Sequence, residues 1–116
     1  MPIRHFPTSL AHRAVVHGET IYLAGMVADD KSLPVGGQTR QILEKLDALL
    51  RTLNSNTSRL LSATVYLIDM KDKDEMNAVW ADYFKPEDLP VRATVAVAQL
   101  GPKTLIEVVA VAAGDP

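Results

Sequence analysis

The chain has 116 residues, 47% of them apolar and 22% charged, with 12 basic against 14 acidic side chains and a net charge of −2. A chain of this size can bury roughly two-thirds of its unfolded surface as one unit, and its slight acidic excess argues against a face built to hold nucleic acid. It has no cysteine, which removes disulfides, thiolate catalysis and cysteine-held metal.

The first ten residues, MPIRHFPTSL, contain neither an apolar h-region nor a small-residue cleavage site. No stretch has the apolar length needed to span a bilayer. A cytoplasmic protein of one domain, residues 1–116, is expected, with no membrane partner.

RAVVHGETIYLAG (residues 13–25) reads as two short strands around a turn at Gly18-Glu19, with β-branched and aromatic residues on either side. MVADDKSLPVGG (26–37) has the composition of a loop. QTRQILEKLDALLRTL (38–53) is the clearest helix. Ile42, Leu43, Leu46, Leu49, Leu50 and Leu53 recur on one face, and Arg40, Glu44, Lys45, Asp47 and Arg51 take the other. NSNTS ends it, with Asn54 suited to the C-terminal turn.

LLSATVYLID (60–69) reads as a strand centred on Val65. DKDEMNAVWADYF (72–84) reads as a second helix, opened by a capping box of Asp72 and Glu75. Met76, Val79, Trp80, Tyr83 and Phe84 line its apolar face, and Pro86 and Pro90 prevent its continuation. Two strands follow, VRATVAVA (91–98) and TLIEVVAVAA (104–113), joined through a turn at Gly101-Pro102. The predicted order is β-β-α-β-α-β-β, an α+β protein.

The last two strands are apolar at odd and even positions alike, so both of their faces should be covered. Two helices of this length cover about one face of such a sheet. A second copy of the chain is the economical cover for the other, because most soluble oligomers are homo-oligomers.

Two charges interrupt these strands, Arg92 and Glu107. Arg and Glu are rarely buried unless paired, and an unpaired buried charge costs several kcal/mol. Two arrangements remain open. Arg92 can lie at the strand edge with its head in water and Glu107 as a structural partner. Alternatively, both can line a pocket between subunits, with the planar Arg92 fork taking a carboxylate.

PVRATVAVAQLGPKTLIEVVAVAA resembles the C-terminal signature of the Rid family (reactive intermediate deaminases, also called the YjgF family). That signature is an arginine heading a strand, a proline-containing turn and a strand reading x-I-E-x-x-A-x-A. AVVHGETIYLAGMV is similar to the family's first hairpin, QTRQILEKLDALL to its first helix, and SATVYLIDMKDKDEMNAVWADYF to its central strand and second helix. Roughly residues 11 to 113 take part.

The resemblance implies a chorismate-mutase-like fold, with two helices on one face of a mixed sheet, and a homotrimer with clefts between subunits. It implies hydrolysis of enamines and imines, such as 2-aminoacrylate and 2-iminobutanoate, to 2-keto acids and ammonia, without cofactor or metal. Position by position, it makes Arg92 the carboxylate-binding arginine, Glu107 the glutamate that positions water, and Thr94 the small pocket residue on the same strand face. Asn77 matches the asparagine of the second helix, and Gly25 the glycine ending the early strand. The chain departs from the well-studied deaminases at Ala24 and Met26, where they read S-G-Q. It departs again at Ala11 or His12, where they carry a tyrosine. These departures mark a divergent subgroup and make a non-catalytic trimer that binds small carboxylates the alternative reading.

The remaining candidates are weaker. His5, His12 and His17 have no metal-like spacing with a carboxylate. Ser58, Ser62 and Thr64 form no nucleophile-and-base pattern. Trp80 and Tyr83 sit at core spacing. Ribonuclease activity, also attached to the family, is disfavoured by the acidic balance.

Overall fold

The computed structural model describes residues 1–115. Two helices lie on one face of a six-stranded mixed sheet, as expected. The strands are β1 (Ile3–Pro7), β2 (His12–His17), β3 (Thr20–Leu23), β4 (Leu60–Leu67), β5 (Val91–Ala96) and β6 (Ile106–Ala113), and the helices are α1 (Val35–Arg51) and α2 (Lys73–Tyr83). Across the sheet the order is β1-β2-β3-β6-β4-β5. Only β4 and β5 run parallel, as the crossover through α2 requires.

β1 adds an edge strand ahead of the order read from sequence. IRHFP has no apolar alternation and its residues stay largely exposed, so only pairing with β2 reveals it. Pro7 is tolerated there because an edge strand need not donate on both sides. β2 and β3 form the expected hairpin, and Gly18 takes the left-handed conformation (φ 62°) that the tight turn needs.

β5 and β6 are adjacent in sequence but not in the sheet. β4 lies between them, so the segment through Gly101-Pro102 is a connection over the end of the sheet rather than a hairpin turn. This changes the relation between the two unusual charges, as described below.

α1 buries Ile42, Leu43, Leu46, Leu49 and Leu50, the face read from its periodicity. It starts three residues earlier than expected, taking in Val35, Gly36 and Gly37. Gly36 sits close against α2: a Cβ there would lie 2.9 Å from Oε2 of Glu75, which would have to give way. That carboxylate accepts a 2.6 Å hydrogen bond from the Gly36 N–H at the first turn of α1. Asp72 makes no side-chain cap on α2, so the expected capping box does not form, and Glu75 instead caps the neighbouring helix. Buried Gln38 ties three segments: its amide donates to the carbonyls of Leu33 and Lys103 and accepts from the Leu105 N–H. Asn54, with φ 60°, turns the chain after α1 as its composition suggested.

The core lies between the helices and the sheet. Ala63, Val65 and Leu67 of β4 and Ile106, Val108, Ala110 and Ala112 of β6 point into it. Their alternates, among them Thr64, Tyr66, Glu107, Val109 and Val111, face the other way, where no helix lies. On this open face Val91 is 72% and Tyr22 51% exposed. The second covering layer that the two-sided apolar pattern calls for is not supplied by the described part of the chain.

Candidate active site

The five residues singled out from the sequence fall into two groups. Arg92 lies on β5, opposite Ala63 of β4. Since Ala63 points toward the helices, so does Arg92, and Thr94 follows two residues on, opposite Val65. The Arg92 Nη2 donates a 2.6 Å hydrogen bond to Oδ1 of Asn77 on α2. Nη1 approaches the Met76 sulfur at 3.5 Å, and the guanidinium lies over the Trp80 ring with Cζ 5.1 Å from its centroid. Arg92, Asn77 and Thr94 thus form one cluster at the β5 edge of the sheet.

Burial lowers the Arg92 pKa from its ordinary value, but arginine remains charged at any physiological pH. Among the described residues it forms no ion pair. A half-buried guanidinium whose only polar partners are a neutral amide and a thioether has an unmet preference for an anion.

Glu107 belongs to the opposite face. It pairs in register with Tyr66, which sits three positions along β4 from Ala63, so an odd count separates it from the Arg92 side. The two charges therefore do not meet within one chain. Glu107 lies against Gly25 instead: a Cβ on Gly25 would stand 2.5 Å from Glu107 Oε2 and 3.0 Å from its Cδ. Met26, next in the chain, pairs with Val108 through two backbone hydrogen bonds, holding this loop against β6. The Glu107 side chain has no hydrogen-bond partner among the described residues. Gly25 and Glu107 form a second cluster, with Tyr66 beside it.

Sequence reasoning passed over three residues that border these groups. Trp80 and Met76 were assigned to the core and are buried there, yet both also touch Arg92. Tyr66 was part of a strand with no role; only the β4–β6 register places it next to Glu107. A cavity of about 430 Å³ is walled by Ile68 and the 98–105 connection, and includes neither Arg92 nor Glu107. The three histidines lie on β1 and β2, and no cluster of three metal-ligating side chains occurs among the described residues. No helix among them is long and apolar enough to cross a membrane.

Comparison with known proteins bears on this arrangement. Residues 7–114 match the model of the family described as endoribonuclease L-PSP. A RutC family protein from Haemophilus ducreyi is 35% identical over 106 residues, covering 91% of each chain. The RutC family protein YoaB from Escherichia coli is 35% identical over 99 residues, covering 85% of this chain and 86% of its own. Among solved structures, an uncharacterized protein from Pseudomonas aeruginosa superposes with a TM-score of 0.94 at 33% identity, covering 99% of this chain and all of the other. A member of the YjgF protein family from Neisseria meningitidis gives 0.93 at 28% identity, covering 100% and 97%. With a family match over residues 7–114 and relatives 35% identical that cover most of both chains, the chain belongs to the endoribonuclease L-PSP family, the group that includes the RutC and YjgF proteins.

Proposed function

We propose that the protein hydrolyses enamines and imines of 2-amino acids, such as 2-aminoacrylate or 2-iminobutanoate, to 2-keto acids and ammonia, at sites completed between copies of the chain. The observation that carries this reading is the division of the two unpartnered charges. Arg92 sits at one edge with free donors, and Glu107 sits on the uncovered face. A second copy laid on that face would bury its apolar residues and bring a Glu107 toward a neighbour's Arg92.

In such a cleft Arg92 holds the substrate carboxylate in a charge-assisted fork. Thr94 borders the bound chain, and Asn77 keeps the fork oriented. Glu107 holds a water and takes its proton as the oxygen adds to the imine carbon. In the carbinolamine formed, the hydroxyl gives up its proton to solvent as the C=O bond forms and the C–N bond breaks, and the nitrogen, protonated by the hydrogen that Glu107 took, leaves as ammonia. One water is consumed and no oxidant is needed. Because imines already hydrolyse in water, placement and charge stabilisation are the protein's main contribution.

The test is a coupled assay in which an amino-acid oxidase generates the imine in place. Arg92→Ala should raise KM steeply, and Glu107→Ala should lower kcat by roughly a hundredfold. Wild-type rates from a correctly folded Arg92→Ala protein would overturn the reading. A non-catalytic carboxylate-binding role is the second reading, favoured by Ala24 and Met26 at the positions beside Gly25. Calorimetric binding of 2-ketobutyrate without turnover of any imine would select it. Ribonuclease cleavage would need a basic face for the phosphate backbone, which 12 basic against 14 acidic side chains do not favour.

A further inference from the structure

We infer that Trp80 is a positioning residue for the anion site: its indole fixes the plane of the Arg92 guanidinium and thereby sets the plane in which a substrate carboxylate is held. The inference rests on the proposed role of Arg92 and adds to it a residue that the core pattern had absorbed.

Arg92 enters from an edge strand, opposite a small residue, Ala63. Its four-atom stem could swing widely there, and a long flexible cation loses much of its value as a binding group when it must be ordered by the ligand. Three contacts remove that freedom. The indole lies under the guanidinium at 5.1 Å, Asn77 takes one Nη2 hydrogen at 2.6 Å, and the Met76 sulfur lies 3.5 Å from Nη1. Trp80 is itself held, being 5% exposed and packed against Phe84 with ring centroids 5.0 Å apart. A guanidinium has five N–H donors in one plane. The contacts with Asn77 and Met76 use two of them, so three remain, enough for a bidentate carboxylate in that plane. Asn77 and Met76 engage two of its donors, and the indole lies against the cation itself, with Cζ over the ring.

Trp80 is the one tryptophan in the chain, so it also reports on the site. When a carboxylate neutralises the cation stacked on it, the indole emission should shift. The probe is 2-ketobutyrate, titrated by calorimetry and by tryptophan fluorescence. Arg92→Ala should abolish both signals. Trp80→Leu should weaken calorimetric binding roughly five- to tenfold, and raise KM for the imine by a similar factor with kcat held. Trp80→Phe, which keeps an aromatic face, should stay within about threefold of wild type.

If Arg92→Ala binds as tightly as wild type, the site reading itself fails and the inference with it. If Arg92→Ala loses binding while folded Trp80→Leu matches wild type, the site reading stands and the positioning role is overturned. Should Trp80→Leu not fold, the wild-type titration decides: calorimetric binding with unchanged indole emission overturns the inference, and a saturable shift with the same midpoint supports it.

Discussion

A glycine and a glutamate illustrate how much depends on single atoms here. Glu107 occupies the space that a side chain at Gly25 would need, with the hypothetical Cβ only 2.5 Å from Oε2. The obstacle is the end of a flexible side chain, so Gly25→Ala should fold with a thermal midpoint near that of wild type. The carboxylate, however, must move, and an ångström of misplacement at a reacting group can cost about a hundredfold in rate. Steady-state kinetics should show kcat reduced roughly ten- to a hundredfold while KM changes little, because Arg92 lies on the other face. Arg92 and Glu107 were both legible in the sequence as charges inside apolar strands. Their contacts with Trp80, Met76 and Gly25 were not, because those depend on side chains that sequence distance does not bring together.

Among the elements, α1 shows the clearest link from pattern to packing, and also a pH-sensitive join. Asp47 on its polar face accepts hydrogen bonds from the Thr57 N–H and hydroxyl and pairs with Arg51 at 2.7 Å. Burial pushes its pKa up, but the Arg51 and Thr57 hydrogen bonds outweigh this and hold it below 3.8, its ordinary value. A carboxylate with a depressed folded pKa stabilises the fold above its unfolded value, and that stability is lost as pH falls through the folded one. Asp47→Asn should therefore cost on the order of 1 kcal/mol at pH 7. Urea midpoints measured down to pH 3 should show the difference from wild type shrinking below about pH 4. The sequence placed Asp47 on the solvent side of α1, correctly, but could not show that the turn at Thr57–Arg59 folds back onto it. The misplaced capping box has the same origin. Asp72 and Glu75 have the right spacing, yet Gly36 offers Glu75 a better partner across the helix pair.

At the scale of the whole molecule, the uncovered sheet face and the divided site make one claim together. Under the proposed function, each cleft of a closed ring would take Arg92 from one copy and Glu107 from the next. Arg92→Ala and Glu107→Ala proteins, each strongly impaired alone at low substrate concentration, should then complement when co-expressed. Random assembly of a trimer leaves about a quarter of the clefts with both groups intact, so roughly a quarter of wild-type activity is expected. Sedimentation should show a species of three times the 12.6 kDa chain mass. No recovery in mixed assemblies would place both groups in one chain's site, against the pairing register.

The sequence by itself determined the two amphipathic helices, the strands β2 to β6 and the two anomalous charges, because each depends on periodicity or on a residue type set against its neighbours. The edge strand β1, the insertion of β6 between β3 and β4 and the separation of Arg92 from Glu107 were decided only by the tertiary structure. Strand neighbours are chosen by long-range pairing, and with a two-residue period that choice decides which face each side chain joins.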